Sequence, residues 1–228
     1  MGSSITTVGF DADDTLWHNE TVFQLTQERF AALLRDHADP DHLADRLLAA
    51  ERRNIGHYGF GVKGFVLSMI ETAIEVTEQR VPAAIISDLL AAGQEMLQHP
   101  IELLPHAQET VEELAADHHL VLITKGDLFH QERKLAQSGL GEFFDAVEIV
   151  SNKTPETYAR ALADPSRAAM IGNSMRSDVL PAIEAGAHGI FVPFELAWAL
   201  EHAEAPEGHD RFHEVVTLQE VPALLKQL

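Results

Sequence analysis

Asp11, Asp13 and Asp14 place three carboxylates within four positions of the stretch Val8 to Glu20, VGFDADDTLWHNE, directly after a short apolar run. Two like charges about 5 Å apart repel by roughly 3 kcal/mol at an effective dielectric near 20. A turn with only a structural task gains nothing from that repulsion. A site that binds a cation or handles protons does, because a divalent ion reverses the local charge balance. Further along the chain, other polar groups follow short apolar runs in the same way. Thr124, Lys125, Gly126 and Asp127 follow HLVLI, Lys153 follows AVEIV within SNKTP, and Asn173, Ser174 and Asp178 follow AAMI within GNSMRSD. Together they offer carboxylates for a hard cation, a hydroxyl and a lysine, the set needed to bind Mg²⁺ and hold a phosphoryl group.

These groups act together only if the elements before them run side by side. ITTVGF, HLVLIT, AVEIV, RAAMIG and HGIFV read as short buried strands, apolar and closed by Gly or Pro. Amphipathic stretches of helical length lie between them, at His106 to His118, Asp127 to Ser138, Thr154 to Ala163 and Ser177 to Ala185. Strand alternating with helix predicts an α/β fold with a mostly parallel sheet covered on both faces. The strand C-terminal ends then share one rim, where such sheets collect ligands. Between about Thr21 and Gln98 only helical periodicity is visible, which predicts an all-helical insert after the first strand, with Pro100 and Pro105 marking the return to alternation. Inside the insert, NIGHYGFGVKG (Asn54 to Gly64) reads as a mobile loop that as a whole contacts substrate, though His57, Tyr58 and Lys63 each read as structural or solvated.

FDADDT is similar to the DxDxT signature of the haloacid dehalogenase-like hydrolase superfamily. LITKGD, SNKTP and GNSMRSD resemble its other three motifs, in the same order, and the helical insert resembles the C1 cap of subfamily I. The resemblance implies a Rossmann-like three-layer core formed by 1–16 and 100–228, with a helical cap domain over 17–99. It implies a Mg²⁺-dependent phosphatase acting on a small phosphate monoester. Asp11 would be the nucleophile that forms an aspartyl-phosphate, and Asp13 the acid that protonates the leaving alcohol and later the base for water. Thr124, Lys125, Gly126 and Lys153 would hold the phosphoryl group. Asp11, the backbone carbonyl of Asp13, Asp178 and, through water, Asn173 would hold the metal. A dehalogenase or phosphonate-cleaving relative usually lacks an acid at the position of Asp13. A phosphomutase of the β-phosphoglucomutase type, or a binding or regulatory relative without turnover, are the alternatives. Two positions depart from the pattern: Asn173 stands where the family commonly has Asp, and KTPETY where it often reads KPxP.

The remaining polar residues near these motifs take plainer roles. Asp14 reads as a turn residue, Thr15 as a brace for the loop, Asp127 as an N-cap, and Trp17 and His18 as hinge packing. Lys125 is open between phosphate, an acidic partner and solvent. With 36 Asp and Glu against 16 Lys and Arg, the formal charge of -20 argues against nucleic-acid and anionic-membrane partners. No apolar run is long enough to span a membrane, Met1 to Ser4 carry no signal-peptide features, and the absence of cysteine fits a cytoplasmic protein.

Overall fold

The computed structural model describes residues 5–196 and 198–228, so the expectation for Met1 to Ser4 lies outside the described residues. The chain forms two compact units. One runs to Glu20 and includes Ile101–Lys125 and Gln131–Leu228; the other comprises Thr21–Pro100 with Gly126–His130. In chain order the elements are β1 (Thr7–Phe10), the helices α1 (Glu20–Leu34), α2 (Pro40–Tyr58), α3 (Val62–Val76) and α4 (Ala83–Gln98), then α5 (Ala107–Ala115) and β2 (His119–Lys125). They continue as α6 (Leu128–Ser138), β3 (Ala146–Val150), α7 (Pro155–Ala161), β4 (Ala168–Gly172), α8 (Leu180–Glu184), β5 (His188–Phe191), β6 (Phe212–Glu214) and α9 (Val221–Leu225).

In the first unit the six strands form one sheet in the order β3-β2-β1-β4-β5-β6, and every pairing is parallel. The central strands β1, β2 and β4 are apolar and buried on both sides because both faces are covered. Val8, Phe10, Leu120, Leu122 and Ile171 pack with Val111, Leu114, Val221 and Leu225 of α5 and α9. The alternate residues Val121, Ile123 and Met170 pack with Tyr158, Leu162 and Ala182 around α7 and α8. This is a Rossmann-like three-layer core. Five of its strands coincide with apolar runs visible in the sequence. The sixth, FHE, is too short and too polar to read as one.

The second unit is all-helical. Phe30, Leu34, Leu43, Leu47, Phe65, Met69 and Leu89 form its core. Asn54 donates from Nδ2 to Glu71 Oε2 at 2.8 Å and Ser68 Oγ at 3.1 Å, linking α2 to α3 through a buried polar contact. The eleven-residue loop expected from Asn54 to Gly64 is not formed. Asn54 to Tyr58 complete α2, Val62 begins α3, and only Gly59 to Gly61 connect them. The glycines misled because two of them serve helix ends: Gly59 closes α2 at φ 75° and Gly61 precedes α3 at φ 105°. Lys63 pairs with Asp127 at 2.8 Å, and Asp127 accepts from the His130 backbone N–H at 3.1 Å, the N-cap role expected of it.

Candidate active site

The sheet register brings the strand ends together. Phe10 lies opposite Leu122 of β2 and Ile171 of β4, so Asp11, Thr124 and Asn173 leave the sheet at one rim. Asp11 continues the ladder by donating its N–H to the Ile171 carbonyl at 2.8 Å. The chain then turns sharply at Asp14, whose φ of 61° a short polar residue tolerates. The Asp14 carboxylate accepts from the backbone N–H groups of Asn19 (2.8 Å) and Glu20 (3.0 Å), which supports the start of α1. Burial pushes its pKa up to about 7. Thr15 is the brace expected: its hydroxyl donates to Asp11 Oδ2 at 3.3 Å and accepts from the Asn173 N–H at 3.1 Å.

At the centre, Lys153 lies between two carboxylates. Its ammonium donates to Asp11 Oδ1 at 2.5 Å and to Asp178 Oδ1 at 2.6 Å, with both Lys153 and Asp178 side chains 1% exposed. The two acids hold Lys153 in its charged form and raise its pKa against the opposing pull of burial. One cation cannot neutralise two buried acids. Burial foremost, then repulsion from Asp178, pushes Asp11 up to about 7 despite its short bond to Lys153. Asp178 reaches this position from a π-turn over Met175–Val179, a form often found at functional sites. Ser174 caps the turn, accepting the Ser177 N–H at 2.9 Å and donating its own N–H to Asp178 Oδ2 at 2.9 Å. Tyr158 holds it from behind through a 2.8 Å bond to the Ser177 carbonyl.

Assigned by its neighbours, which are acceptors, the Asn173 amide turns its nitrogen toward three oxygens: Asp11 Oδ2 at 3.2 Å, the Asp13 carbonyl at 3.3 Å and Thr15 Oγ1 at 3.3 Å. Among the described residues no three His, Asp or Glu side chains are grouped to hold a metal. What converges is two carboxylates, Asp11 on one side and Asp178 on the other of a single ammonium, together with the Asp13 backbone carbonyl. An all-oxygen set of this size, completed by water and a substrate oxygen, is of the kind a hard divalent cation accepts, and the Lys153 ammonium lies between its two carboxylates. Asn173 contributes an N–H to this group, where an acid would have contributed charge.

Asp13 is held by three donors. Trp17 Nε1 and Lys134 Nζ both donate to Oδ1, at 2.7 and 2.8 Å, and Gln131 Nε2 donates to Oδ2 at 3.1 Å. Lys134 first, against burial, lowers the Asp13 pKa. Thr124 is buried at the end of β2, and its hydroxyl accepts from Gln131 Nε2 at 2.7 Å. Lys125 donates to Glu201 Oε1 at 2.6 Å and Ser177 Oγ at 2.7 Å, so the acidic partner is the one it takes. Gly126, with φ 140°, falls in the helical unit. Trp17 is fully buried and hydrogen-bonds Asp13, which its position in the sequence does not disclose. Sequence reasoning missed Gln131, Lys134 and Glu201. The first two lie three apart on the helix after Thr124, which is the one signal that could have marked them. Glu201 ends a single 3₁₀ turn, Ala199–Glu201, and nothing in the sequence around it signals the role.

A model of the haloacid dehalogenase-like hydrolases matches residues 5–186. Among solved structures, a haloacid dehalogenase-like family hydrolase from Xanthomonas campestris shares 43% identity and a TM-score of 0.88, covering 99% of this chain and 92% of its own. Two more distant structures share the fold. The HAD-hydrolase YfnB from Bacillus subtilis, bound to magnesium, has 18% identity, TM-score 0.68 and coverage of 97% and 99%. The L-2-haloacid dehalogenase from Xanthobacter autotrophicus has 17% identity, TM-score 0.66 and coverage of 98% and 99%. No curated protein matches. With the family model covering most of the chain and one relative 43% identical over 99% of it, the chain belongs to the haloacid dehalogenase-like hydrolases.

Proposed function

We propose that this hydrolase is a Mg²⁺-dependent phosphatase that cleaves a small phosphate monoester through an aspartyl-phosphate on Asp11. The observation that carries the reading is Asp13, a carboxyl held by three donors two residues from the nucleophile. A halide leaves carbon as a stable anion and needs no proton. An alcohol leaving phosphorus does need one, and an acid poised beside the nucleophile supplies it.

The charge of the incoming ester offsets the lowering effect of Lys134 and lets Asp13 take up a proton; Asp11 then attacks phosphorus as the ester P–O bond breaks, and Asp13 delivers that proton to the departing oxygen. Water then attacks the aspartyl-phosphate while Asp13 takes the proton back, restoring Asp11. Lys153 offsets charge on Asp11 and on the phosphoryl oxygens, and the Thr124 hydroxyl donates to one of them. Asp11, Asp178 and the Asp13 carbonyl would hold Mg²⁺; Asn173 would act through water once its amide turns its oxygen toward the ion. When bound, Mg²⁺ supplies the positive charge that keeps Asp11 ionised and neutralises the incoming phosphoryl group. Residues 17–99 serve as the cap that selects the leaving group, and the acidic surface disfavours nucleic acid and anionic membranes as partners.

The test is phosphate release from a panel of monoesters with Mg²⁺ or with EDTA, beside chloride release from 2-chloropropionate. We expect metal-dependent phosphate release, none from Asp11→Asn, and no chloride. Chloride release without phosphate release would overturn the reading in favour of a dehalogenase.

A further inference from the structure

We propose that Lys134, assisted by Gln131, is a positioning residue that fixes which oxygen of Asp13 carries the catalytic proton. The proposal rests on the phosphatase reading above. Lys134 is nearly buried, with its side chain 7% exposed, and donates to Asp13 Oδ1 at 2.8 Å and Asn19 Oδ1 at 2.7 Å. Trp17 Nε1 donates to the same Asp13 oxygen at 2.7 Å. A carboxylate oxygen has two lone pairs, and an ammonium and an indole N–H can only donate, so Oδ1 is filled. Oδ2 accepts one bond, from Gln131 Nε2 at 3.1 Å, and retains one lone pair. When Asp13 is protonated, the proton therefore sits on Oδ2. As the ester P–O bond breaks, its electron pair moves to the leaving oxygen, and the Oδ2 proton joins that oxygen while the Asp11–phosphorus bond forms. In the second half-reaction the attacking water returns a proton to Oδ2.

Gln131 extends the same device to the phosphoryl side. Its Nε2 also approaches Thr124 Oγ1 at 2.7 Å and the Lys125 carbonyl at 3.1 Å. The carbonyl and the Asp13 carboxylate can only accept, which orients the amide with nitrogen inward. The amide has two hydrogens for these three acceptors: one goes to Thr124 Oγ1, the nearest, and the other is shared between Asp13 Oδ2 and the Lys125 carbonyl, so Thr124 keeps its own hydrogen, which here donates weakly to the Lys125 carbonyl at 3.4 Å. Residues 131 and 134 lie on one face of α6, so a single helix orients a group for each end of the scissile bond.

The test compares two esters with Mg²⁺ present. Glycerol 2-phosphate has a poor leaving group that needs a proton; p-nitrophenyl phosphate has one that leaves as an anion. In Lys134→Met we expect kcat for the alkyl ester to fall about 100-fold or more, the lower end of what general acid catalysis contributes, and kcat for the aryl ester to fall less than about 10-fold. KM changes little for either. Asp13→Asn shows the same split, the double variant loses no more than Asp13→Asn alone, and Lys134→Arg restores part of the alkyl-ester rate. A purely structural role slows both esters alike, and equal losses would overturn the proposal. If circular dichroism shows Lys134→Met unfolded, Lys134→Gln, which keeps a donor but no charge, should still slow the alkyl ester more than the aryl ester, by less than Asp13→Asn does, and equal losses overturn the proposal. Wild-type protein that releases phosphate from no monoester of the panel ends the phosphatase reading itself, a result distinct from equal losses in the variant.

Discussion

Gly172→Ala tests whether the site depends on a missing side chain. A Cβ built at Gly172 would lie 2.6 Å from the Asp178 Cβ and closer still to its carboxyl, where ordinary contact begins near 3.4 Å. One of the two must shift by about 0.8 Å or more. Gly172 is the last residue of β4, paired in register with Phe191 of β5, so the backbone has little room to give. Asp178 must move, and it holds Lys153 at 2.6 Å and the Ser174 N–H at 2.9 Å. Displacing a buried carboxylate from its cation approaches the case of removing one partner, about 3–5 kcal/mol, with overpacking adding about 1–3 kcal/mol where it is not relieved by the same movement. We expect a destabilisation of about 3–5 kcal/mol. In a chain of this length that lowers Tm by about 6–20 °C, at roughly 2–4 °C per kcal/mol. Thermal melts followed by circular dichroism read the loss, and phosphate release should fall with it because Asp178 no longer meets Asp11 across Lys153. A variant within about 1 kcal/mol of wild type that keeps its activity would refute the claim that the Asp178 carboxyl needs the space glycine leaves.

Two other perturbations probe charge. Lys153→Met leaves Asp11 and Asp178 buried without their cation and should cost about 3–5 kcal/mol in urea melts, more at pH 8 than at pH 5, because protonating an acid is then the only relief; a loss equal at both pH values would contradict it. On the far edge of the sheet, His188 Nδ1 and His213 Nε2 are 2.9 Å apart, and burial, then His213 and Arg211, press the His188 pKa down to about 4. The unfolded chain takes up that proton near pH 6.5 and the folded one not until about 4, so stability falls as pH drops through that window. His188→Asn should flatten the slope of Tm against pH between 6.5 and 4, and an unchanged slope would show that the pair does not set it.

Much of the fold is legible because its signals are local. Five strands are apolar runs bounded by Gly, Pro or polar residues, and the helical unit declares itself through three- and four-residue spacing. Where local signals conflict, reading fails. Gly56, Gly59, Gly61 and Gly64 look like one loop, yet Gly56 and Gly64 sit inside helices. β6 spans only Phe212–Glu214 and is a strand because β5 offers it an edge, a fact absent from its own residues.

Residue types and their order alone determine the chemistry on offer: carboxylates at 11, 13 and 178, a hydroxyl at 124 and a lysine at 153, each at or beyond the end of a strand. Tertiary structure decides who serves whom. Lys125, next to Thr124, turns to Glu201, whereas Lys134 crosses 121 positions of sequence to hold Asp13 and Lys153 crosses 142 to reach Asp11. Those pairings follow from parallel register, which sets distant strand ends level with one another, and from burial, which leaves a charged group no partner except the one packing brings to it.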